Sequence, residues 1–484
     1  MNAKILNRRD FLRLSAMTAA GVALASCGPK STPEVVKETG EVPVKEAAEV
    51  EKTVVGQPTD EAVPTTENVS TEPVTIVHLG MTDLVPEELK PVWEELHPEI
   101  TVEYLPNDLT RLAAMWAAGT PPDTYSLNGI MLPGYLIRGM VLNLQPYVDV
   151  SDTITDGDLA PCHVLMRYTD MTAGEGDLYG VVKDWSTEFS LWLHKGMFEE
   201  AGVPLPSDEA PITYAELADL AANFPKKEGD RQTVWGLESQ ATSWGFVQTL
   251  TECCDQAGVT LYDDSFSRMN LVNNDVAKAV IKYWVDLMAA DIVASPLNPS
   301  PSWAADEMPG KQLAMTQYGY WFNGCMRDSE ELGYGEQVLY LTAPLWAGTQ
   351  RRNPCAAGTN GVISSRTKYP DQTWAFVEWA YGKDPAQDRA KSGWGIPALK
   401  SLYPLMPNET EYDHQVQKVL QEDLECSGFV LRYNPFYDAQ TVNSSVWPNN
   451  FEAYLRGDIT FDEMVANIEA ENNAAILDGI TRLG

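Results

Sequence analysis

Residues 74–105 read VTIVHLGMTDLVPEELKPVWEELHPEITVEYL, and two hydrophobic periods alternate within that stretch. The β-branched run at 74–80 predicts a buried strand. Leu89, Val92, Trp93 and Leu96 then recur at helical spacing, and ITVEYL at 100–105 predicts a second strand. Leu109, Leu112, Ala113 and Trp116 mark a second helical stripe, with Asp108 placed to cap its start and Gly119 its end, ahead of Pro121 and Pro122. The order β-α-β-α implies a parallel sheet with helices packed on it. Ligands of such sheets lie beyond the carboxyl ends of the strands, which points here to Gly80, Met81, Thr82 and Asp83 and to the segment TYSLNGI at 124–130.

Further along, Thr213 with Glu216 and Thr460 with Glu463 have the spacing of capping boxes, each ahead of an apolar run. No repeat of twenty to fifty residues stands out. A chain of 484 residues is long enough for two to three domains with proper cores.

The balance of 69 acids against 34 bases gives a formal net charge of -35, which argues against nucleic acid as a partner, because affinity for phosphates comes from lysine and arginine. It argues more weakly against anionic small ligands. The five histidines are scattered without metal-ligand spacing, so neither a metal nor a cofactor is expected. Neither a Gly-x-Ser-x-Gly elbow nor a phosphate-cradling glycine loop occurs. Acid pairs such as Glu252 with Asp255, or Asp263 with Asp264, are expected by chance in so acidic a chain. The 14 tryptophans and 20 tyrosines carry more information, because several stand beside glycine or proline in expected loops, among them Trp185, Trp244, Trp303, Trp321, Trp394, Tyr437 and Trp447. An aromatic face stacks on the C–H face of a sugar ring while amides and carboxylates take its hydroxyls, so an acid-lined aromatic cleft suits a neutral carbohydrate.

The first 72 residues have a different character. Paired Arg8 and Arg9 precede an apolar run of about twelve residues, too short for a membrane span of roughly twenty. RRDFL resembles the twin-arginine export signal, and Leu24-Ala25-Ser26-Cys27 resembles the bacterial lipobox, which makes residues 1–26 a removable leader and Cys27 the lipidated first residue. Residues 28–72 hold ten acids and four lysines but no aromatic, the composition of a disordered acidic linker over 27–72. Six cysteines remain beyond the anchor, Cys162, Cys253, Cys254, Cys325, Cys355 and Cys426, and an even number outside the cytoplasm suggests disulfides.

Eight segments, taken in order, resemble one family. They are AAGTPPD (117–123), DLYGVV (177–182), WLHKGMFEEAGVPLP (192–206) with TYAEL after it, GKQLAMTQYGYW (310–321), GTNGVIS (358–364), WAFVEWAYGKDPAQDRAKSGWGIPALKS (374–401) and YLRGDITFDEMVANI (454–468). Their sequence and order are similar to the extracellular solute-binding lipoproteins of carbohydrate ABC transporters, the maltose-binding-protein-like group. The resemblance implies an α/β, two-lobed periplasmic-binding-protein-like fold with three interlobe crossings, near 181–184, 359–363 and 402–408. Lobe 1 would then comprise 73–182 plus 360–403 and lobe 2 183–359 plus 404–484. It implies a non-enzymatic receptor that captures a sugar or oligosaccharide between the lobes and delivers it to the permease subunits, tethered outside the membrane through Cys27. The ligand contacts it implies are Asp83, Asp184, Trp244, Trp321 and Tyr437, with Trp321 the stacking residue; Asn128, Trp185, Asn360 and Trp394 are further candidate contacts. Two departures stand out: the usual YNK reads Leu193-His194-Lys195, and SLNGI lacks the aromatic of many sugar binders. A secreted carbohydrate-active enzyme, and a receptor of the same fold for a non-sugar polar solute, are the alternatives.

Overall fold

The computed structural model describes residues 72–484 except 170, 171, 244, 347, 350–352, 430–432, 437, 438 and 484. The leader, Cys27 and the linker up to residue 71, like Trp244 and Tyr437, therefore lie outside the described residues.

The opening stretch forms its expected elements for local reasons. Strands Val74–Gly80 and Ile100–Pro106 run parallel, in register from Val74 opposite Ile100 to Gly80 opposite Pro106. Between them helix Lys90–Leu96 buries Trp93 against Phe376 and Trp379. Leu96 is exposed, because the helix stops at His97 before its stripe completes another turn. Helix Leu109–Ala117 opens with the Asp108 carboxylate accepting from the Arg111 N–H at 3.0 Å, and buries Leu112 and Trp116. Gly119 follows at φ 75°, a left-handed position that favours glycine. Thr213 and Glu216 cap one another reciprocally, as do Thr460 and Glu463.

The first sheet is mixed rather than wholly parallel. Its order is Ile100–Pro106, Val74–Gly80, Thr124–Asn128, Thr359–Ile363, Val181–Val182, and Thr359–Ile363 alone runs against the other four. The physical reason is connectivity. A parallel neighbour needs a crossover from the far end, whereas Thr359–Ile363 comes straight from strand Asn353–Ala357 and enters from the opposite end. A second sheet has the order Lys226–Glu228, Arg231–Ser239, Leu313–Gln317, Leu191–His194, Val338–Leu341. It carries helices Phe246–Gln256 and Asp275–Ala289 over a hydrophobic core of its own.

A third, four-stranded sheet lies along the passages between these two: Ile396–Pro397, Asp184–Thr187, Asn353–Ala357, Ser427–Phe429. Asp184–Thr187 carries the chain from the first sheet to the second, and Asn353–Ala357 carries it back. Ile396–Pro397 precedes helix Glu411–Glu425, which packs on strand Val338–Leu341 of the second sheet. The arrangement is a two-lobed α/β fold. Among the described residues no helix is long and apolar enough to cross a membrane. The expected disulfides do not form among Cys162, Cys253, Cys254, Cys325 and Cys426, whose thiols stand free, the first three of them buried. Two lobes of this size bury enough apolar surface to hold without covalent bridges.

Candidate ligand-binding site

The loop after strand Val74–Gly80 and the first passage between the lobes meet at a charge cluster. Lys183, almost wholly buried, places its Nζ 2.6 Å from the Asp83 carboxylate and 3.2 Å from that of Asp184. Arg389, also buried, donates to the carbonyls of Leu84 at 2.7 Å and Ala380 at 3.1 Å, tying the Asp83 loop to helix Pro370–Gly382. Burial alone lowers an ammonium pKa, but Asp184 and Asp83 outweigh it and hold Lys183 above its ordinary value. Asp83 is pushed up by burial and brought below the usual carboxylate range by Lys183. For Asp184 burial prevails over the pull of Lys183 and Arg389, and its pKa is raised. Two glycines let backbone close on Asp184. A Cβ on Gly395, at φ 118°, would fall 2.8 Å from that of Asp184, and one on Gly358 would fall 2.6 Å from its Oδ1. A small cavity lined by Lys183, Asp184, Tyr381, Arg389 and Pro397 lies beside the cluster.

The aromatic part of the site hangs from the same passage strand. Leu313–Gln317 ends in a 3-10 turn, Tyr320–Phe322, where the Trp321 N–H donates to Ser186 Oγ at 2.9 Å. Strand alternation puts Ser186 on the same face as Asp184, two residues earlier. Contacts thus run from Asp83 through Lys183 and Asp184 along the strand to Ser186 and Trp321. Trp321 is half-buried against Tyr318 and Phe322. The Tyr318 hydroxyl donates to Glu238 at 2.5 Å, and the carboxylate also accepts from the Ala304 N–H. Burial raises the Glu238 pKa to about 7, more than these hydrogen bonds lower it.

The residues named from sequence divide by surroundings. Asp83, Asp184 and Trp321 are linked as described. Trp185 takes the opposite face of the strand, as alternation requires between Asp184 and Ser186; it is 2% exposed, donates to the Pro397 carbonyl at 3.1 Å and packs on Phe429. Asn128 accepts from the Ile130 N–H at 3.2 Å and stands opposite Thr359, while the neighbouring Asn360 is buried and donates to the Leu127 carbonyl at 3.2 Å. Trp394 donates to Asp328 at 3.1 Å and lies against Gly324, where a Cβ would fall 2.3 Å from the ring. Sequence reasoning left out Lys183, Arg389 and Glu238. Lys183 had a signal, as the one basic residue in DLYGVVKDW; the other two had none, since their partners are remote in sequence.

Two α/β lobes joined by strand passages, with a polar loop and an aromatic turn gathered at the first passage, define a two-lobed solute-binding protein. Residues 93–417 match the bacterial extracellular solute-binding proteins, and the chain belongs to that family, whose members act outside the cytoplasm as binding proteins. An ABC substrate-binding protein from Listeria monocytogenes, solved in complex with cycloalternan, is similar with a TM-score of 0.67 and 18% identity over 83% of this chain and 99% of that one. An ABC transporter solute-binding protein from Agrobacterium vitis with bound D-mannitol gives 0.65 and 18% over 85% and 99%. The GacH receptor of Streptomyces glaucescens, solved unliganded and with acarbose, gives 0.62 and 18% over 84% and 98%. No curated protein matches the chain in sequence.

Proposed function

We propose that this protein is the receptor of an ABC importer, which takes a neutral sugar or oligosaccharide between its lobes and delivers it to membrane-spanning permease subunits. The observation that carries the reading is the joining of Trp321 to Asp83 and Asp184 along one strand and one buried lysine. An indole face supplies apolar contact for ring C–H groups, and the carboxylates, already ordered by Lys183, supply acceptors for hydroxyls. A neutral ligand fits the charges. The net charge of -35 disfavours anions, and the site's buried cations are already opposed by two carboxylates. Carbohydrates and a polyol in similar structures support the same class. In this reading the carboxylates bind and orient rather than act as acid and base, and hinge closure between the lobes traps the ligand. The same proposal includes export through the twin-arginine leader and retention at the outer membrane face by a lipid on Cys27.

Titration calorimetry with mono- and oligosaccharides, followed by chromatography of the mixtures, tests it. The expected result is saturable binding with no product, and stabilisation of about 2.7 kcal/mol at a hundredfold excess over Kd. Release of cleaved sugar would overturn it in favour of an enzyme, and binding of a non-sugar solute alone would overturn the ligand class.

A further inference from the structure

Among the described residues Trp303 is an exposed tryptophan, at 43% exposure, and stands nearly parallel to Trp321, with ring centroids 6.5 Å apart and 8° between the ring planes. That separation is towards the long end of the range for offset-stacked rings, which overlap only in part and leave each face extending beyond the other. Both indoles meet the buried ring of Phe322 nearly at right angles, Trp303 at 80° and Trp321 at 88°, so one residue braces the pair from within.

A single exposed tryptophan would need no explanation. Here, however, buried carboxylates fix the turn that presents it. Glu307, 1% exposed, accepts from the Ser302 N–H at 3.2 Å and from the Ser300 hydroxyl, and Glu238 accepts from the Ala304 N–H. Burying a carboxylate is unfavourable unless it is hydrogen-bonded, and these two spend their bonds on the residues either side of Trp303. Glu238 holds Tyr318 as well, and Tyr318 lies 5.2 Å from Trp321, so one carboxylate sets both halves of the pair. A side chain fixed in this way loses little entropy when a ligand covers it.

We infer that Trp303 and Trp321 form one two-indole platform, and that the ligand is therefore an oligosaccharide of at least two linked rings lying across both faces. The inference rests on the carbohydrate reading above and goes beyond it in naming Trp303 and a minimum length. Linked sugar rings follow one another edge to edge, which suits two parallel faces displaced sideways. A monosaccharide covers one indole only.

The test is calorimetric titration of the full chain with mannose, mannobiose and mannotriose and with glucose, maltose and maltotriose. The wild type is expected to bind a di- or trisaccharide at least tenfold more tightly than its monomer. Trp303→Ala should shrink that ratio by about tenfold, Trp303→Phe should restore much of it, and Trp321→Ala should weaken mono- and oligosaccharides alike. Thermal unfolding of Trp303→Ala should stay near the wild-type midpoint, since the side chain is half exposed. Equal monomer and oligomer affinity in the wild type, or an unchanged ratio in Trp303→Ala, overturns the platform while leaving the carbohydrate reading intact. Failure of the wild type to bind any of the six, together with binding of a non-sugar solute alone in the wider screen above, overturns both.

Discussion

Glu238 offers the sharpest test of the physical argument, because its environment ties stability to pH in a direction that can be worked out in advance. Its pKa rises from an ordinary 4.5 to about 7 in the folded protein, chiefly through burial, and one of its oxygens has no hydrogen-bond partner. The folded state thus holds a proton at this carboxyl more tightly than the unfolded chain does. Ionised Glu238 lowers stability above pH 7, and the penalty fades as pH falls from 7 towards 4.5. At about 1.4 kcal/mol per pH unit, the full penalty is on the order of 3 kcal/mol. Glu238→Gln removes it. The amide keeps an acceptor for the Tyr318 hydroxyl and the Ala304 N–H, but points a donor where the unpartnered oxygen stood, at a cost of about 1–3 kcal/mol that does not depend on pH. The variant's absolute stability at pH 8 therefore falls close to the wild type or above it, whereas its difference from the wild type must change by about 2–3 kcal/mol between pH 5 and pH 8. Urea unfolding of both proteins at several pH values, followed by tryptophan fluorescence, measures that change directly. A difference that stays constant within about 0.5 kcal/mol over this range, or a variant that gains stability relative to the wild type as the pH falls, would refute both the elevated pKa and the burial argument behind it.

Lys183→Met should destabilise the protein at pH 7 by about 3–5 kcal/mol by leaving Asp184 buried with Arg389 as its remaining cation, and the loss should shrink in acid as Asp184 takes up a proton; a pH-independent loss measured by the same unfolding would contradict it. Trp185→Ala, which empties a site 2% exposed, should cost about 3–5 kcal/mol of stability. Trp321→Ala should cost less stability but weaken saccharide binding at least tenfold, about 1.4 kcal/mol, and a reversed pattern would exchange their assignments. Replacing Cys27 by serine should move the protein from the membrane fraction to the soluble fraction, and unchanged membrane association would exclude a lipid at that residue.

What could be read from the sequence was local physics. The period of 74–105, the Asp108 cap and the Thr213 and Thr460 boxes depend on neighbours within a few residues, and each has its expected partner in the structure. The antiparallel strand Thr359–Ile363 did not follow from its own residues, because its direction depends on where the chain has just been. The cysteine expectation failed for a related reason. Compartment says that disulfides are permitted, but whether they form is decided by which thiols the packing brings together, and here helix Phe246–Gln256 buries Cys253 and Cys254 in a core that needs no bridge.

The tryptophans show where the boundary lies. Trp185 and Trp321 stand in similar company, each near a polar residue in a segment that sequence alone leaves open as strand or loop. Once DWST is known to be a strand, however, alternation allows only one of Asp184 and Trp185 to face the passage from any one side, and the hydrogen bond from Trp321 to Ser186 places Trp321 on the side of Asp184. Trp185 is left to the core, with its indole N–H satisfied by the Pro397 carbonyl. The charge cluster draws together residues 83, 183, 184 and 389, and the aromatic cluster residues 238, 303, 318 and 321, so neither is visible in any window of the chain. Both are assembled at the strand that carries the chain between lobes. In the proposed reading the residues that would hold a ligand are therefore tied, through Lys183 and the Ser186 hydroxyl, to the strand that joins the lobes.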